Sequence, residues 1–369
     1  MHYLDNAATT RVSEKAAAAA MAAMGADFGN PSSVHNLGIA AESLMERSRS
    51  AVAAALACDP RCVFFTSGGT EANNWALFAG AEIQRRKDRH IVTSPVEHAA
   101  VLQPVKALER AGWQVDYVTP GKDGSVSPEA LEAVLRPNTS LVSLMAVNNE
   151  TGADSPISAL AAVIRKKAPE ALFHVDAVQA FLKTPLSPSA MGADMMSLSA
   201  HKIYGPKGVG ALYVRKGLQL SPLIFGGGQE RGLRSGTEPV PLIAAFGAAV
   251  EEGLPKLKET MGHVAALRER LLAALNRLPG ADVLFSGGAI TVFTNKRYPA
   301  EVMIRMLESR QVYVSGGSAC ARGRESHVLR VLGVPPEKRR GALRASLGRT
   351  STAADVDALV TALGEILGQ

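Results

Sequence analysis

The chain alternates short apolar runs with longer helix-like stretches from about residue 16 to residue 250. Such runs are typical of strands that are buried on both faces, and the stretches between them are long enough for helices. The alternation predicts an α/β fold in which a mostly parallel central sheet is covered by helices. Disordered and fibrous architectures are excluded, because 47% of the 369 residues are apolar and a chain of this length can bury a large core.

After Gly253 and Pro255 the pattern becomes that of a smaller α+β unit. Its expected elements are a helix over 257–278, a strand over 289–294, a helix over 300–309, a strand over 311–315 and a last helix from Thr352, with Asp355 in its cap. We therefore predict two domains. Residues 14–255 form the large domain, and residues 1–13 with 256–369 form the small domain, which carries Cys320.

Charge and cysteine content exclude several classes of protein. The net charge of +6 arises within residues 321–349, which hold eight basic and two acidic side chains. No basic arm, zinc-ligand pattern or basic aromatic helix accompanies it, so direct nucleic-acid reading is not expected. The apolar runs are too short to cross a membrane. Three cysteines, Cys58, Cys62 and Cys320, fit a reducing compartment, so we expect a cytoplasmic protein without a metal site.

Polar residues follow five of the predicted strands. They are Ser67–Thr70 after 63–66, Glu97 and His98 after 90–93, Asn148–Glu150 after 141–147, Asp176 after 173–175 and Ser199–Lys202 after 195–198. Because ligands of open α/β sheets bind at the carboxyl ends of the strands, we expect these residues to converge on one crevice.

Two of these residues have the chemistry that pyridoxal 5'-phosphate (PLP) requires. A PLP enzyme needs a lysine that forms a Schiff base with the cofactor and a carboxylate that keeps the pyridine nitrogen protonated. Lys202 and Asp176 are the candidates, although alone each is more often a solvated charge or a helix cap. Residues 66–71 offer backbone N–H groups and hydroxyls to a phosphate, and they match neither the P-loop nor the dinucleotide fingerprint.

Further motifs extend over almost the whole chain. They are Tyr-Leu-Asp-Asn-Ala-Ala-Thr-Thr (3–10), Phe-Gly-Asn-Pro-Ser-Ser (28–33), Thr-Ser-Gly-Gly-Thr-Glu (66–71), Glu-His (97–98), Val-Asn-Asn-Glu-Thr-Gly (147–152), His-Val-Asp-Ala-Val-Gln (174–179), the Lys202 segment, Gly-Gly-Gly-Gln-Glu-Arg-Gly-Leu-Arg-Ser-Gly-Thr (226–237), Ser-Gly-Gly-Ser-Ala-Cys (315–320) and Leu-Arg-Ala-Ser-Leu-Gly-Arg (343–349). In this order they resemble the cysteine desulfurases of the class V aminotransferase group, of the type that supplies sulfur for iron-sulfur clusters.

The resemblance implies a PLP-dependent transferase of fold type I that acts as a homodimer on L-cysteine. The implied cofactor-binding residues are Gly69, Thr70, His98, Asn149, Asp176, Gln179, Ser199, His201, Lys202 and Thr237. Thr237 matches the position that reaches the phosphate from the other subunit, and Gln179 the donor toward the ring hydroxyl. Arg344 matches the residue that binds the substrate carboxylate, with Asn30 and Asn149 as further substrate contacts. The implied catalytic residues are Lys202, Cys320 and His98.

Cys320 decides between the possible reactions of such a site. The resemblance implies that its thiolate attacks the substrate sulfur and leaves a persulfide, with L-alanine as the other product. The sulfur then passes to an acceptor, such as an iron-sulfur scaffold protein, or serves tRNA thiolation. Arg322 and Arg324 are expected to ionise this thiol or to dock an acidic acceptor. The segment after Cys320 is about two residues shorter than in long-loop members, which affects how far the cysteine can reach.

Three alternatives remain at this point. A selenocysteine lyase, or a relative that eliminates from cysteine sulfinate, would share the cofactor and the fold. An aminotransferase would need a keto-acid acceptor and would not need Cys320. A non-catalytic assembly subunit could keep the fold, but it would not be expected to retain Lys202, Asp176, His98 and Arg344 together with this cysteine.

Overall fold

The computed structural model describes residues 1–84, 88–316 and 325–368. Cys320, Arg322 and Arg324 lie outside the described residues, so the expectations for them stay predictions. The helices are α1 (Glu14–Gly25), α2 (Asn36–Ala55), α3 (Gly69–Ile83), α4 (Ala99–Arg110), α5 (Pro128–Val134), α6 (Ile157–Lys167), α7 (Val240–Gly253), α8 (Leu257–Leu275), α9 (Ala300–Glu308), α10 (His327–Val331), α11 (Pro336–Arg340) and α12 (Ala353–Gly368).

The strands alternate with these helices along the chain. They are β1 (His2–Tyr3), β2 (Val63–Thr66), β3 (His90–Thr93), β4 (Gln114–Tyr117), β5 (Leu141–Met145), β6 (Leu172–Asp176), β7 (Met195–Ser199), β8 (Gly210–Val214), β9 (Ala281–Gly287), β10 (Ile290–Asn295), β11 (Val312–Tyr313), β12 (Ser315–Gly316) and β13 (Ala342–Ser346). Short 3-10 turns occur at Pro60–Cys62, Ala200–Lys202, Glu230–Gly232 and Leu254–Lys256.

The central sheet has the strand order β2-β8-β7-β6-β5-β3-β4. Strands β7, β6, β5, β3 and β4 pair in parallel, and β8 runs antiparallel between β7 and β2. The predicted α/β class with a mostly parallel sheet is therefore confirmed. Since all strands except β8 point in one direction, their carboxyl ends lie along one edge of the sheet.

Both faces of this sheet are covered by helices, which explains why its strands are continuous apolar runs. Successive strand residues point to opposite faces. Ile91, Leu141 and Met195 pack with α3 and α4, whereas their neighbours Val92, Val142 and Met196 belong to the larger core on the other face. That larger core contains residues of α1, α2, α5, α6 and α7.

The remaining strands form two smaller sheets. One has the order β12-β13-β10-β9, and the other pairs β1 with β11 in parallel. Leu4 is buried in one core with α8, α9 and α12. The N-terminal segment thus packs with C-terminal elements, as the domain prediction expects, while the predicted boundaries at 14–255 and 256–369 stay a prediction.

Two details of the C-terminal prediction change in the structure. The strand expected over 311–315 is divided into β11 and β12, which join different sheets. Strands β9 and β13 carry polar or charged residues among short apolar stretches, and no strand was expected at either of them. The predicted cap of the last helix is present, because the Thr352 and Asp355 side chains each accept a hydrogen bond from the other's backbone N–H.

Candidate active site

A cavity of about 390 Å³ lies at the carboxyl edge of the central sheet. Residues that follow β2, β3, β5, β6 and β7 all line it, so the convergence expected from the strand-end pattern is present. The lining includes Gly69, Thr70, Asn73, His98, Asn149, Glu150, Asp176, Gln179, Ser199, His201, Lys202, His327 and Arg344. Ala7 and Ala8, from the N-terminal segment, complete one wall.

Lys202 lies on the 3-10 turn that directly follows β7. Its Nζ donates hydrogen bonds to the carbonyl oxygens of Ala7 at 2.6 Å and Ala8 at 2.7 Å. These contacts join residues almost 200 positions apart in sequence and hold the amine at the wall of the cavity. The turn next to a rigid strand and the two carbonyls together restrict the lysine side chain to a small region.

Asp176 is the last residue of β6 and is only 6% exposed. One carboxylate oxygen accepts a hydrogen bond from Asn73 Nδ2 at 2.7 Å, and the other accepts the backbone N–H of Val178 at 3.0 Å. Asn73 comes from α3, and sequence reasoning did not single it out. Its position one turn after the glycine turn, on the helix face toward the sheet, is the signal that could have identified it.

The N-terminus of α3 forms a narrow cradle beside Ser199. Gly68 adopts φ +155° with ψ −179°, a conformation that is essentially restricted to glycine. A Cβ atom on Gly69 would approach Val178 Cγ2 to 2.6 Å, so the helix can start this close to the neighbouring turn only with glycine. Ser199 Oγ is buried and has no hydrogen-bond partner among the described residues. The cradle therefore offers helix N–H groups and a hydroxyl to an anion.

His201 lines the same wall, and its Nδ1 lies 3.2 Å from Thr9 Oγ1. Burial, with further lowering by the nearby positive charge of Lys202, reduces the pKa of His201 to about 4. The imidazole is therefore neutral near pH 7 and has one N–H to donate.

His98 is the N-cap of α4, and its Nδ1 accepts the backbone N–H of Ala100 at 3.1 Å. The capping bond fixes the orientation of the ring at the cavity wall. The preceding Glu97 has no exposed surface, and its Oε1 accepts the backbone N–H of Met145 at 2.8 Å. Burial raises the pKa of the Glu97 carboxyl well above its usual range, which favours its neutral form.

Gln179 connects the cavity with the layer behind it. Its Nε2 donates to the Ala7 carbonyl at 2.9 Å, and its Oε1 accepts from Lys183 Nζ at 2.8 Å. The Ala7 carbonyl thus accepts from both Gln179 and Lys202. The expected role of Gln179 toward a ring hydroxyl stays a prediction, and in this structure its amide orients the N-terminal segment.

Arg344 is the largest charged group in the site and is 1% exposed. One terminal nitrogen donates to the Asn149 carbonyl at 2.7 Å, and the other lies 3.1 Å from Asp5 Oδ1. Its Nε and the side-chain oxygen of Asn149 are buried without hydrogen-bond partners among the described residues. The site therefore keeps one unused donor and one unused acceptor, on two residues that line the same cavity.

The segment that starts at Glu325 is attached to the site by two contacts. Ser326 Oγ donates a short hydrogen bond to Glu150 Oε2, and His327 Nε2 donates to the Glu97 carbonyl at 3.1 Å. Glu150 is 2% exposed, and burial raises its pKa to about 7. The sequence assigned no role to Glu150, Ser326 or His327, because these contacts join residues far apart in the chain.

Two of the predicted site residues, Asn30 and Thr237, are not brought into the cavity. Both are exposed in the single chain. The Asn30 side chain instead accepts the backbone N–H of Ser32 at 2.9 Å. Cys320 lies outside the described residues. The described part of the chain contains no group of three or more His, Cys, Asp or Glu placed to hold a metal ion, and none of its helices could cross a membrane.

The sequence matches the class-V aminotransferase family over residues 2–359. The chain belongs to that family. Similar proteins include cysteine desulfurase IscS of Methanosarcina thermophila, with 39% identity over 99% of this chain and 91% of the relative, and cysteine desulfurase 2 of Trichormus variabilis, with 40% identity over 99% and 92%. The mitochondrial cysteine desulfurase of Eremothecium gossypii is 37% identical over 98% of this chain and 75% of the relative.

Solved structures with similar sequences superimpose on this fold. A NifS-like protein has a TM-score of 0.94 at 39% identity and covers 99% of both chains. A structure described as SspA in complex with cysteine has a TM-score of 0.84 at 34% identity, over 95% of this chain and all of that chain. The cradle at the N-terminus of α3, with the partnerless Ser199 hydroxyl, fits a phosphate, and the Asp176 carboxylate and the Lys202 amine suit the ring nitrogen and the aldehyde of PLP.

Proposed function

We propose that this protein is a PLP-dependent cysteine desulfurase, which removes sulfur from L-cysteine and releases L-alanine. The observation that carries the proposal is the convergence of Lys202, Asp176 and Arg344 on one cavity, since these side chains come from three separate parts of the chain. The names of the relatives, at 37–40% identity over nearly the whole chain, support the choice of reaction.

Each end of the cofactor has a candidate set of residues. The phosphate would be held by the N-terminus of α3 at Gly69 and Thr70, with Ser199 and the neutral His201 as further donors. Asp176, fixed by Asn73, would hold the ring nitrogen, and His98 would lie against the ring. Bound PLP would supply an electron sink for the negative charge that forms at the substrate Cα.

The proposed substrate contacts use two buried atoms of the site that lack a described partner, the Arg344 Nε and the Asn149 side-chain oxygen. Arg344 would bind the α-carboxylate of L-cysteine, because a buried guanidinium with a partnerless Nε–H suits an anion. Asn149 would contribute its partnerless side-chain oxygen to the same substrate. The amine of Lys202 would take the proton from Cα, because it lies at the wall of the same cavity as the proposed substrate contacts.

The sulfur acceptor within the enzyme would be Cys320. Its thiolate would attack the substrate sulfur, so that an S–S bond forms as the Cβ–S bond breaks and the carbon receives the electron pair and then a proton. The described cysteines are poor candidates for this step. Burial raises the pKa of the Cys58 thiol to about 12 and also raises that of Cys62, so neither forms a thiolate readily near pH 7.

We propose a homodimer in which the partner completes the site. The segments that carry Asn30 and Thr237 also expose large apolar side chains. These are Met21, Met24, Phe28, Val34, Leu37, Ile39, Ile224 and Phe225. A second copy that covers them would remove this apolar surface from water. Mixing a Lys202→Ala chain with a Thr237→Val chain tests the sharing, since only mixed dimers would then contain one site with both residues intact.

The proposed setting is the cytoplasm, with an acceptor protein such as an iron-sulfur scaffold, or a tRNA-thiolation partner, that takes the persulfide sulfur. Arg322 and Arg324 would ionise Cys320 or dock that acceptor. The division into a large PLP domain (14–255) and a small domain (1–13 and 256–369) is also our proposal.

The assay is turnover of L-cysteine by the PLP-loaded protein with a thiol reductant. We expect equal amounts of alanine and sulfide, and loss of both in Cys320→Ser with PLP still bound. Turnover of selenocysteine but not cysteine would indicate the lyase, and alanine formation that needs a keto acid would indicate an aminotransferase. A protein that stays colourless after incubation with PLP would contradict all three.

A further inference from the structure

A second cavity, of about 260 Å³, lies behind the candidate active site. Ala7, Val147, Gln179 and Lys202 line both cavities, so the two cavities are neighbours. Its other walls come from the start of α8, from the turn between β9 and β10 and from residues that follow β13. None of the roles proposed above uses this space.

The lining combines an apolar surface with an excess of positive charge. Its apolar side chains include Leu182, Met261, Val264, Ile290 and Leu347. Its charged side chains are Asp154, Lys183, Lys202, Arg268 and Arg349. Arg349 is already paired with Glu252 at 2.9 Å, and Lys202 belongs to the first cavity. Burial raises the pKa of the Asp154 carboxyl, and the nearby charge of Arg268 opposes this rise. What Arg268 offers a ligand is therefore its partnerless Nε–H, whereas Lys183 has no acidic neighbour of this kind in the described part of the chain.

Lys183 has no carboxylate partner among the residues that the structure describes. Its Nζ donates to the neutral side chain of Gln179 at 2.8 Å, and its charged neighbours are Lys202 and Arg344, both positive. Burial and these two charges lower the pKa of Lys183 to about 7. An anion beside the amine would restore its ordinary preference for the charged form, because an opposite charge stabilises an ammonium.

Arg268 provides a second donor with unused capacity. One terminal nitrogen donates to the Gly288 carbonyl at 3.1 Å, and the other lies 3.2 Å from the exposed carboxylate of Glu269. Its Nε is buried and has no hydrogen-bond partner among the described residues. A buried donor of this kind is costly unless something accepts from it.

We propose that the second cavity binds a small aliphatic carboxylate, with its anionic end at Lys183 and Arg268 and its hydrocarbon end against Leu182, Val264 and Ile290. The volume is slightly below the roughly 300–1,000 Å³ of sites for drug-sized ligands, so the ligand has the size of an amino or keto acid. A single negative charge matches the two available donors. This site does not depend on which reaction the first cavity performs.

Calorimetric titration of the PLP-loaded protein with 4-methylpentanoate tests the site. We expect saturable binding that 4-methylpentanamide, which has the same shape without the charge, does not show. Lys183→Met should weaken binding by roughly 10-fold or more, as expected for loss of a charge-assisted hydrogen bond, and Arg268→Gln should weaken it as well. The control is Arg277→Gln, at an exposed arginine two residues after the end of α8, which should leave the affinity unchanged.

The carboxylate could instead enter the first cavity and contact Arg344, and Arg344→Lys separates the two sites. Affinity that is unchanged in Arg344→Lys but reduced in Arg268→Gln supports the second cavity. The proposal is overturned if no saturable binding occurs, if the amide binds equally well or if only Arg344→Lys weakens binding. If Lys183→Met does not fold, Arg268→Gln with its Arg277→Gln control decides the question.

Discussion

The candidate active site consists of two groups of residues that differ in which part of the chain they come from and in what their hydrogen bonds connect. The strand-end group follows strands of the central sheet and comprises His98, Asp176, Ser199 and Lys202. The terminal-segment group comes from the two ends of the chain and comprises Asp5, Ser326, His327 and Arg344. In the strand-end group Ser199 keeps a buried hydroxyl without a described partner. In the terminal-segment group each side chain contacts another protein group, and Arg344 also keeps its Nε without a described partner.

This difference assigns separate tasks to the two groups. The strand ends position the side chains proposed to bind the cofactor, and of these the Ser199 hydroxyl has no described partner. The terminal segments instead close the site through contacts with distant parts of the protein. Substitutions in the strand-end group should therefore change cofactor binding and turnover with little change in stability. Substitutions in the terminal-segment group, or in its partners, should change stability or substrate affinity.

The largest effect is expected for Lys202→Ala, which removes the proposed cofactor anchor and base. Turnover of L-cysteine should fall by roughly 10²- to 10⁴-fold, the usual contribution of a positioned acid-base group. The visible absorbance of bound PLP should also be lost on dialysis. The control is Lys207→Ala, at an exposed lysine five residues further on, which should keep both properties. Retention of the absorbance by Lys202→Ala would place the anchor elsewhere.

Glu150 is the hydrogen-bond partner of Ser326. The pH dependence of the free energy of unfolding therefore tests whether this contact of the terminal segment stabilises the protein. Its folded-state pKa of about 7 lies above the ordinary 4.5, so its contribution to stability is fully present below pH 4.5 and is lost as the pH rises through 7. Relative to Glu150→Gln, the free energy of unfolding of the parent should fall by on the order of 3 kcal/mol across this window, from 4.5 to 7.

Denaturant unfolding of both proteins between pH 4 and pH 8 measures this difference. Glu337→Gln, at an exposed carboxylate of α11, is the matched control, and its free energy of unfolding should depend on pH in the same way as that of the parent. If the free energy of unfolding of Glu150→Gln has the same pH dependence as that of the parent, the buried carboxyl does not titrate in this range.

Arg344→Lys tests the residue that serves both tasks. Lysine keeps the charge but cannot reach Asn149, Asp5 and a substrate carboxylate with one planar group. We expect KM for L-cysteine to rise by roughly 10- to 100-fold, as for loss of a charge-assisted hydrogen bond, with a smaller change in kcat. Steady-state kinetics measure the two separately, and an unchanged KM would remove Arg344 from substrate binding.

The strand-end pattern made half of this site predictable. Asp176, Ser199 and Lys202 directly follow apolar runs, and the parallel sheet brings such positions to one edge by its topology alone. The α/β class was predictable for the same reason. Asn73 was within reach of this reasoning, because it lies one turn into the helix that follows the glycine turn.

The other half depends on contacts between residues far apart in the chain. Ser326 and Glu150 are 176 positions apart, and no local spacing relates them. The Arg344 guanidinium likewise contacts Asp5 and the Asn149 carbonyl only because β13 packs against the N-terminal segment. Strands β11 and β12 were predicted as one, because their assignment to different sheets is decided by pairing partners and not by composition.

The smallest effect is expected for Ser199→Ala. The hydroxyl has no described protein partner, so its removal should leave the free energy of unfolding almost unchanged. Affinity for PLP should fall by roughly 10-fold, the value of about one hydrogen bond. Fluorescence titration with PLP measures this. The comparison variant is Ser326→Ala, which should instead lower stability, and a reversal of the two results would contradict the division of tasks.

The most direct test of the proposed function is a single turnover of the PLP-loaded protein with L-cysteine in the absence of reductant. We predict alanine in stoichiometric amount, together with one added sulfur atom on the peptide that contains Cys320 in the mass spectrum of the digested protein. Alanine without added sulfur on that peptide, or no alanine at all, would contradict the assignment of this site as a cysteine desulfurase.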